Sequence, residues 1–297
     1  MTPEIAQALA AGAPVVALES ALITHGLPAP VNLEVARRLE ATVRAEGALP
    51  ATIAVLDGAV HVGLSETELE QLAQQPADKV SLRDLPVVLA QGRNGGTTVA
   101  ATVALAHCAG IRVFATGGIG GVHRGHPEDI SADLPALATT PIVVVCAGAK
   151  AILDLPRTLE ALETLGVPVI GYGSDTFPAF TSRSSGLPVA ARADSPQEVA
   201  AMARARDALG LRPALLVCAP IPAEAELPWE DAQSEIEAAV GEAEQVGIAG
   251  RDLTPFLLAR LAERTGGRSR AANEALLLNN ARIAAHIARA LAGESLV

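Results

Sequence analysis

The pattern that most constrains this chain is a series of short, almost purely aliphatic runs separated by longer amphipathic stretches. PVVALES at 14–20, IRVFATGG, PIVVVCAGAK, VPVIGY and ALLVCAP are each brief and bounded by turn-forming or polar residues. A strand that is apolar on both faces must be covered on both faces, the condition of a largely parallel sheet between helical layers. The intervening stretches read as helices. Residues 32–46 space Leu33, Val35, Ala36, Leu39 and Val43 along one face and stop near Gly47; a second helix spans 155–165, and a third begins at Ser195 with Pro196 in its first turn. The fold class is α/β: an α/β/α sandwich with a mixed, largely parallel central sheet and a helical C-terminal part, with helices at 229–246, 254–265 and 271–292. No repeat or low-complexity linker interrupts it, so residues 1–297 read as a single catalytic domain.

Local signals refine this outline. ATIAVLDGAVHVG reads as a hairpin turning at Asp57-Gly58, and Ser65 with Glu68 forms a capping-box pattern. THGLPAP reads as a loop, and residues 79–90 are open between strand and loop. NGGTTVAATVALAHCA reads as a glycine-rich turn feeding a helix apolar nearly all round, hence buried.

Aromatic residues make up 2% of the chain, so Ala, Val, Leu and Ile must build its core. A net charge of −11 argues against a nucleic-acid partner, which would need clustered basic residues to displace counterions. No apolar run is long enough for a membrane span, and MTPEIAQALA lacks the features of a signal peptide, so a cytoplasmic protein without a membrane partner is expected. Cys108, Cys146 and Cys218 are odd in number and set in apolar surroundings, which reads as buried, reduced thiols.

Of 22 lysines and arginines only Lys79 and Lys150 are lysine. Arginine stays protonated near neutrality, whereas lysine can become a free amine and a nucleophile. Lys150 follows the VVVC strand, and ligands of α/β sheets bind outside the carboxyl ends of strands. It reads either as a partly desolvated nucleophile that forms a Schiff base or as a solvated helix-start lysine paired with Asp154. Glu19, directly after VVAL, reads either as a general acid or base or as a capping or salt-bridged acid.

GGVHRGHPEDISAD gathers His123, Arg124, His126, Glu128, Asp129 and Asp133, a set suited to Mg²⁺ or Mn²⁺ held with several waters, or equally to a solvated loop. TGGIGGVHRG does not fit a dinucleotide fingerprint, because His123 stands where the third glycine belongs. NGGTTV could offer an anion the N–H groups of a helix start together with Thr97 and Thr98, or its glycines could serve the turn alone.

Taken together, ALES with THG, PATIAVLDG, KVSLRDLP, NGGTTVAAT, FATGGIGGVHRG, DISADL, VVVCAGAKAILD and TPFLLARLAERTGG resemble the pseudouridine-5'-phosphate glycosidase family from about residue 14 to 292. The resemblance implies a homotrimer, one Mn²⁺ per subunit, and reversible cleavage of pseudouridine 5'-phosphate to uracil and ribose 5-phosphate in pseudouridine degradation. Carried onto this sequence, it makes Lys150 the nucleophile and Glu19 the proton donor. Substrate contacts fall on Lys79, Val99, Ser131, Ala132 and Asp133, the metal ligand on Asp129, and further active-site positions on His123 and Asn273. Two departures are Gly96 where alanine is more usual and a slightly short segment between His123 and Asp129.

The bond to be cleaved joins carbon to carbon, so protonating a leaving heteroatom, as in ordinary glycoside hydrolysis, does not suffice. An imine between Lys150 and C1' addresses this, with Lys79 holding the phosphate. Two other readings share the pocket: a Schiff-base aldolase acting on sugar phosphates, and a non-catalytic sugar-phosphate-binding protein.

Overall fold

The computed structural model describes residues 1–248 and 253–293. In chain order its elements are α1 (Pro3–Ala10), β1 (Val15–Leu18), a π-helical turn (Leu22–Gly26), α2 (Val31–Ala45), β2 (Leu49–Leu56), β3 (Ala59–Val62), α3 (Glu66–Gln74), β4 (Asp78–Val80), α4 (Leu85–Ala90), β5 (Gly95–Thr97) and α5 (Val99–Cys108). They continue with β6 (Val113–Ala115), β7 (Val122–His123), β8 (His126–Ile130), α6 (Asp133–Thr139), β9 (Val143–Cys146), α7 (Leu155–Thr164), β10 (Val169–Tyr172), β11 (Ala191–Ala193), α8 (Pro196–Ala208) and β12 (Leu215–Cys218). A 3₁₀ turn (Ala223–Ala225) leads into α9 (Trp229–Val246), α10 (Leu253–Arg264) and α11 (Arg268–Ala292).

Ten strands form one sheet in the order β11-β10-β12-β9-β6-β1-β2-β5-β4, with β3 alongside β2. The β11-to-β2 portion is parallel; β3 and β5 run antiparallel to β2, and β4 is parallel to β5. The central strands β1, β9 and β12 are buried at every residue, as their unbroken aliphatic sequences require. The long helix α11 packs across β1, β6 and β9 with α2 and α8 beside it, while α5, α6 and α7 pack in succession as a second helical group.

From β1 the chain crosses through α2 to β2 on one side, and later returns to place β6 on the other side of β1. The carboxyl ends of β1 and β6 therefore bracket the point where the connections reverse direction, where a crevice opens in such sheets.

The local chemistry follows the expected rules. Asp57 and Gly58 both take positive φ, 49° and 73°, the backbone a two-residue hairpin turn needs. Ser65 and Glu68 complete the capping box, and the Asp154 and Ser195 side chains cap α7 and α8.

Several expectations need correcting. α1 escapes the periodicity because only Ile5 and Ala8 are buried on it. THGLPAP is not all loop, since Thr24–Gly26 close the π-helical turn. Residues 79–90 hold the end of β4 and then the short helix α4, and the NGG segment is not a turn but the edge of a strand, β5. Cys146 and Cys218 are buried, but Cys108, on the last turn of α5, is exposed: the helix end runs out past the layer that covers its start.

Candidate active site

Three neighbouring parallel strands deliver the site. Leu18 of β1 pairs with Ala115 of β6, and Ala115 pairs with Val145 of β9. One residue further along, Glu19 and Thr116 lie side by side, and the Thr116 hydroxyl donates a short hydrogen bond to Glu19 Oε1. The extensions of β6 and β9 stay zipped beyond the sheet. Thr116 N–H donates to the Val145 carbonyl at 3.0 Å, Ala147 N–H to Gly117 at 2.8 Å, and Lys150 N–H to Ile119 at 3.1 Å. Gly148 turns with φ 84°, and a Cβ there would stand 2.3 Å from the Pro178 carbonyl oxygen, so only glycine fits the bend that presents Lys150.

One cavity is lined by Glu19, His25, Lys79, Lys150 and Asn273 against the apolar Phe180, Leu258 and Leu277. Both lysines of the chain thus meet in one place, although Lys79 comes from the edge strand β4 and Lys150 from the middle of the sheet. Glu19 keeps some surface towards the cavity while protein encloses its carboxyl on the other sides. Burial pushes that carboxyl above its ordinary value; Lys150, the Thr116 hydroxyl and Lys79 pull the other way, and Asp133 adds to the rise. The outcome is an acid that holds its proton to higher pH than a surface glutamate does, beside an amine.

His123 and Asp129 line a separate cavity with Arg124, His126 and Glu128. Burial lowers the His123 imidazole, against the pull of Asp129 and with the push of His126, Lys150 and Lys79. Arg124 is a clamp rather than a ligand: it donates to the carbonyls of Ala151 and Leu153, each at 3.0 Å, and to Gln233 at 2.8 Å, fixing the loop after Lys150 to α9. His126 and Glu128 face each other at 3.6 Å. Among the described residues no three His, Cys, Asp or Glu side chains converge as a metal cage. Asp129, half-buried on β8, is a carboxylate that could hold a hard divalent ion keeping most of its water.

The remaining candidates form the scaffold between β5, α5 and the glycine-rich loop. The Thr97 hydroxyl donates to the Ile53 carbonyl and is bonded by Thr102, so it is spent inside the protein. Thr98 N-caps α5 without a side-chain cap bond, and its buried hydroxyl has no partner among the described residues. Val99 is the buried first residue of α5. Asp133 accepts Ala100 N–H at 2.9 Å and Gly120 N–H at 2.8 Å, tying that helix start to the loop, while Ser131 Oγ accepts the Asp133 N–H and Ala132 is the N-cap of α6. The intended anion site at the start of α5 is therefore already partly occupied by the carboxylate of Asp133.

Sequence reasoning missed Thr116, His25 and Phe180. Thr116 carries a signal in its position directly after a strand, and His25 in the THG string of the family resemblance; for Phe180 the sequence offers none, because its placement depends on how a distant loop folds over the sheet.

A reversing parallel sheet that presents a buried acid and a lysine side by side at its carboxyl edge defines an enzyme of the α/β class. The chain belongs to the family described as indigoidine synthase A like protein, which matches residues 4–290. It is 59% identical to the pseudouridine-5'-phosphate glycosidase of Paracoccus denitrificans over 98% of both chains. It is 61% identical to that of Rhodospirillum centenum over 98% of this chain and 91% of the relative. Among solved structures it is similar to the prealnumycin C-glycosynthase AlnA in complex with ribulose 5-phosphate, with a TM-score of 0.91 and 41% identity over 98% of this chain and 96% of that one. It is also similar to an indigoidine synthase A-like protein from Thermotoga maritima, with a TM-score of 0.88 and 40% identity over 94% and 93% of the two chains.

Proposed function

We propose that this enzyme reversibly cleaves the C-glycosidic bond of pseudouridine 5'-phosphate to uracil and ribose 5-phosphate through an imine on Lys150. The observation that carries the reading is the enclosed Glu19 carboxyl, bonded by Thr116, in one cavity with Lys150 and Lys79. The names of the relatives support the substrate, and the ribulose 5-phosphate bound by the C-glycosynthase supports a pentose phosphate in a pocket of this fold.

Glu19, whose burial favours the protonated form, gives its proton to the ring oxygen O4' as the C1'–O4' bond opens. The Lys150 nitrogen bonds to C1'. Glu19 takes up the proton that the Lys150 nitrogen sheds on bonding to C1' and passes it to uracil C5, and uracil departs with the electrons of the C1'–C5 bond, leaving a C1'=N imine. Water adds to that imine and releases ribose 5-phosphate, restoring the amine. Lys79 serves as a point charge for the phosphate. Asn273 lines the same cavity from α11 and can hydrogen-bond the substrate. A divalent cation, Mn²⁺ in this reading, would be held by Asp129 and would supply positive charge to the substrate. The homotrimer belongs to the same reading and rests on the family resemblance.

The test is ultraviolet detection of uracil release from pseudouridine 5'-phosphate with and without Mn²⁺, combined with borohydride trapping in ribose 5-phosphate. Uracil should appear, the trapped sugar mass should map to Lys150, and Lys150→Ala should abolish both. Carbon-chain products without uracil would point to the aldolase, and label on another residue would end the imine route.

A further inference from the structure

Asn280 lies on α11 seven residues after Asn273, so both project from one face of the helix. It is fully buried beneath the site. Its Nδ2 donates to the Thr116 carbonyl at 2.8 Å and to the Gly117 carbonyl at 3.3 Å. The same two residues connect the reacting groups: the Thr116 hydroxyl reaches Glu19, and the Gly117 carbonyl accepts Ala147 N–H on the segment that continues to Lys150. α11 is pressed closely against this point, since a Cβ on Gly117 would meet Leu277 at 3.2 Å and Leu276 at 3.4 Å. Asn280 Oδ1 is buried with no partner among the described residues, a cost that an aliphatic side chain at the same place would not carry. The donor half of the amide is used twice and the acceptor half not at all.

We propose that Asn280 is a positioning residue: by gripping the Thr116–Gly117 segment it keeps the Thr116 hydroxyl on the Glu19 carboxyl and the β6 extension in register with the loop that carries Lys150. The assignment rests on Glu19 as the proton-transferring acid of the proposed reaction. Asn280 touches neither substrate nor reacting atom, and acts through a main-chain segment 164 residues away in sequence.

The test is a substrate-free infrared titration of the Glu19 carboxyl, with Glu19→Gln as the blank, in Thr116→Val, Asn280→Leu, Asn280→Ser and the double variant Thr116→Val/Asn280→Leu. The threonine hydroxyl stabilises the ionised carboxylate, so Thr116→Val should move the midpoint up. Asn280→Leu should move it in the same direction, and the double variant should go no further than Thr116→Val alone. A leucine variant that melts earlier but titrates at the parental midpoint, or shifts that add in the double variant, would overturn the assignment. If Asn280→Leu does not fold, Asn280→Ser, which loses the reach but leaves room, is read in the same way. An unmoved midpoint in Thr116→Val overturns it however the Asn280 variants fold. In turnover, Asn280→Leu should lower kcat about tenfold with little change in KM. Wild-type protein that releases no uracil would sink the proposed reaction, while the carboxyl titration would still decide the role of Asn280.

Discussion

Replacing Asp133 by asparagine should separate scaffold from substrate contact at this position. Asp133 is only 6% exposed, and its two carboxylate oxygens each accept one main-chain N–H, from Ala100 at 2.9 Å and Gly120 at 2.8 Å. An asparagine of the same shape must turn its NH₂ towards one of these donors. One hydrogen bond to a charged acceptor is then lost, about 1.5–3 kcal/mol, and a buried N–H is stranded opposite another donor. The sum is roughly 2–4 kcal/mol, which in a chain of this length lowers the melting temperature by about 4–8 °C, at roughly 2 °C per kcal/mol. Thermal unfolding followed by circular dichroism measures it. The same substitution removes a negative charge that pushes the Glu19 carboxyl up, so the Glu19 midpoint should fall, opposite in sign to the Thr116→Val shift. A variant that melts with the parent, or a Glu19 midpoint that rises, refutes the reasoning and returns Asp133 to a role at the substrate alone.

Two further outcomes can be checked directly. Burial raises the Glu40 carboxyl above its ordinary value against the pull of the Thr52 hydroxyl, so ionising it costs the folded state. That cost is absent below the unfolded value and grows as pH rises through the folded one; Glu40→Gln should therefore melt with the parent near pH 4 and above it near pH 8. Gly96→Ala should destabilise this chain by about 1–3 kcal/mol in urea unfolding, because the new Cβ would stand 2.1 Å from Thr24 Oγ1 and 2.9 Å from the Ser20 carbonyl. Pairing it with Thr24→Ala should recover part of the loss, and full recovery would show that the main chain at Ser20 yields freely.

What could be read in advance was local. Aliphatic runs such as VVVC predicted buried parallel strands because burial on both faces leaves no room for polar alternation. Lys150 and Glu19 stood out because each follows such a run, and the scarcity of lysine added weight. The polar cluster after His123 was legible as a cluster but not in its parts: Arg124 turned out to bind three main- and side-chain oxygens, while Thr97 turned out to spend its hydroxyl inside the core. Hydrogen-bond direction is a property of the packed neighbourhood, and composition does not reveal it.

The sequence by itself determined the layered α/β class, the strand-end placement of an acid and a lysine, and, through long motifs, the family. Those features depend on periodicity and on residues close together in the chain. Only the tertiary structure decided that Thr116 lies against Glu19 across 97 residues, that Asn280 holds Thr116 across 164, and that Lys79 on the sheet's edge meets Lys150 from its middle. Each of those meetings depends on strand order and register, set by how the whole core packs, and no short stretch of residues contains that information.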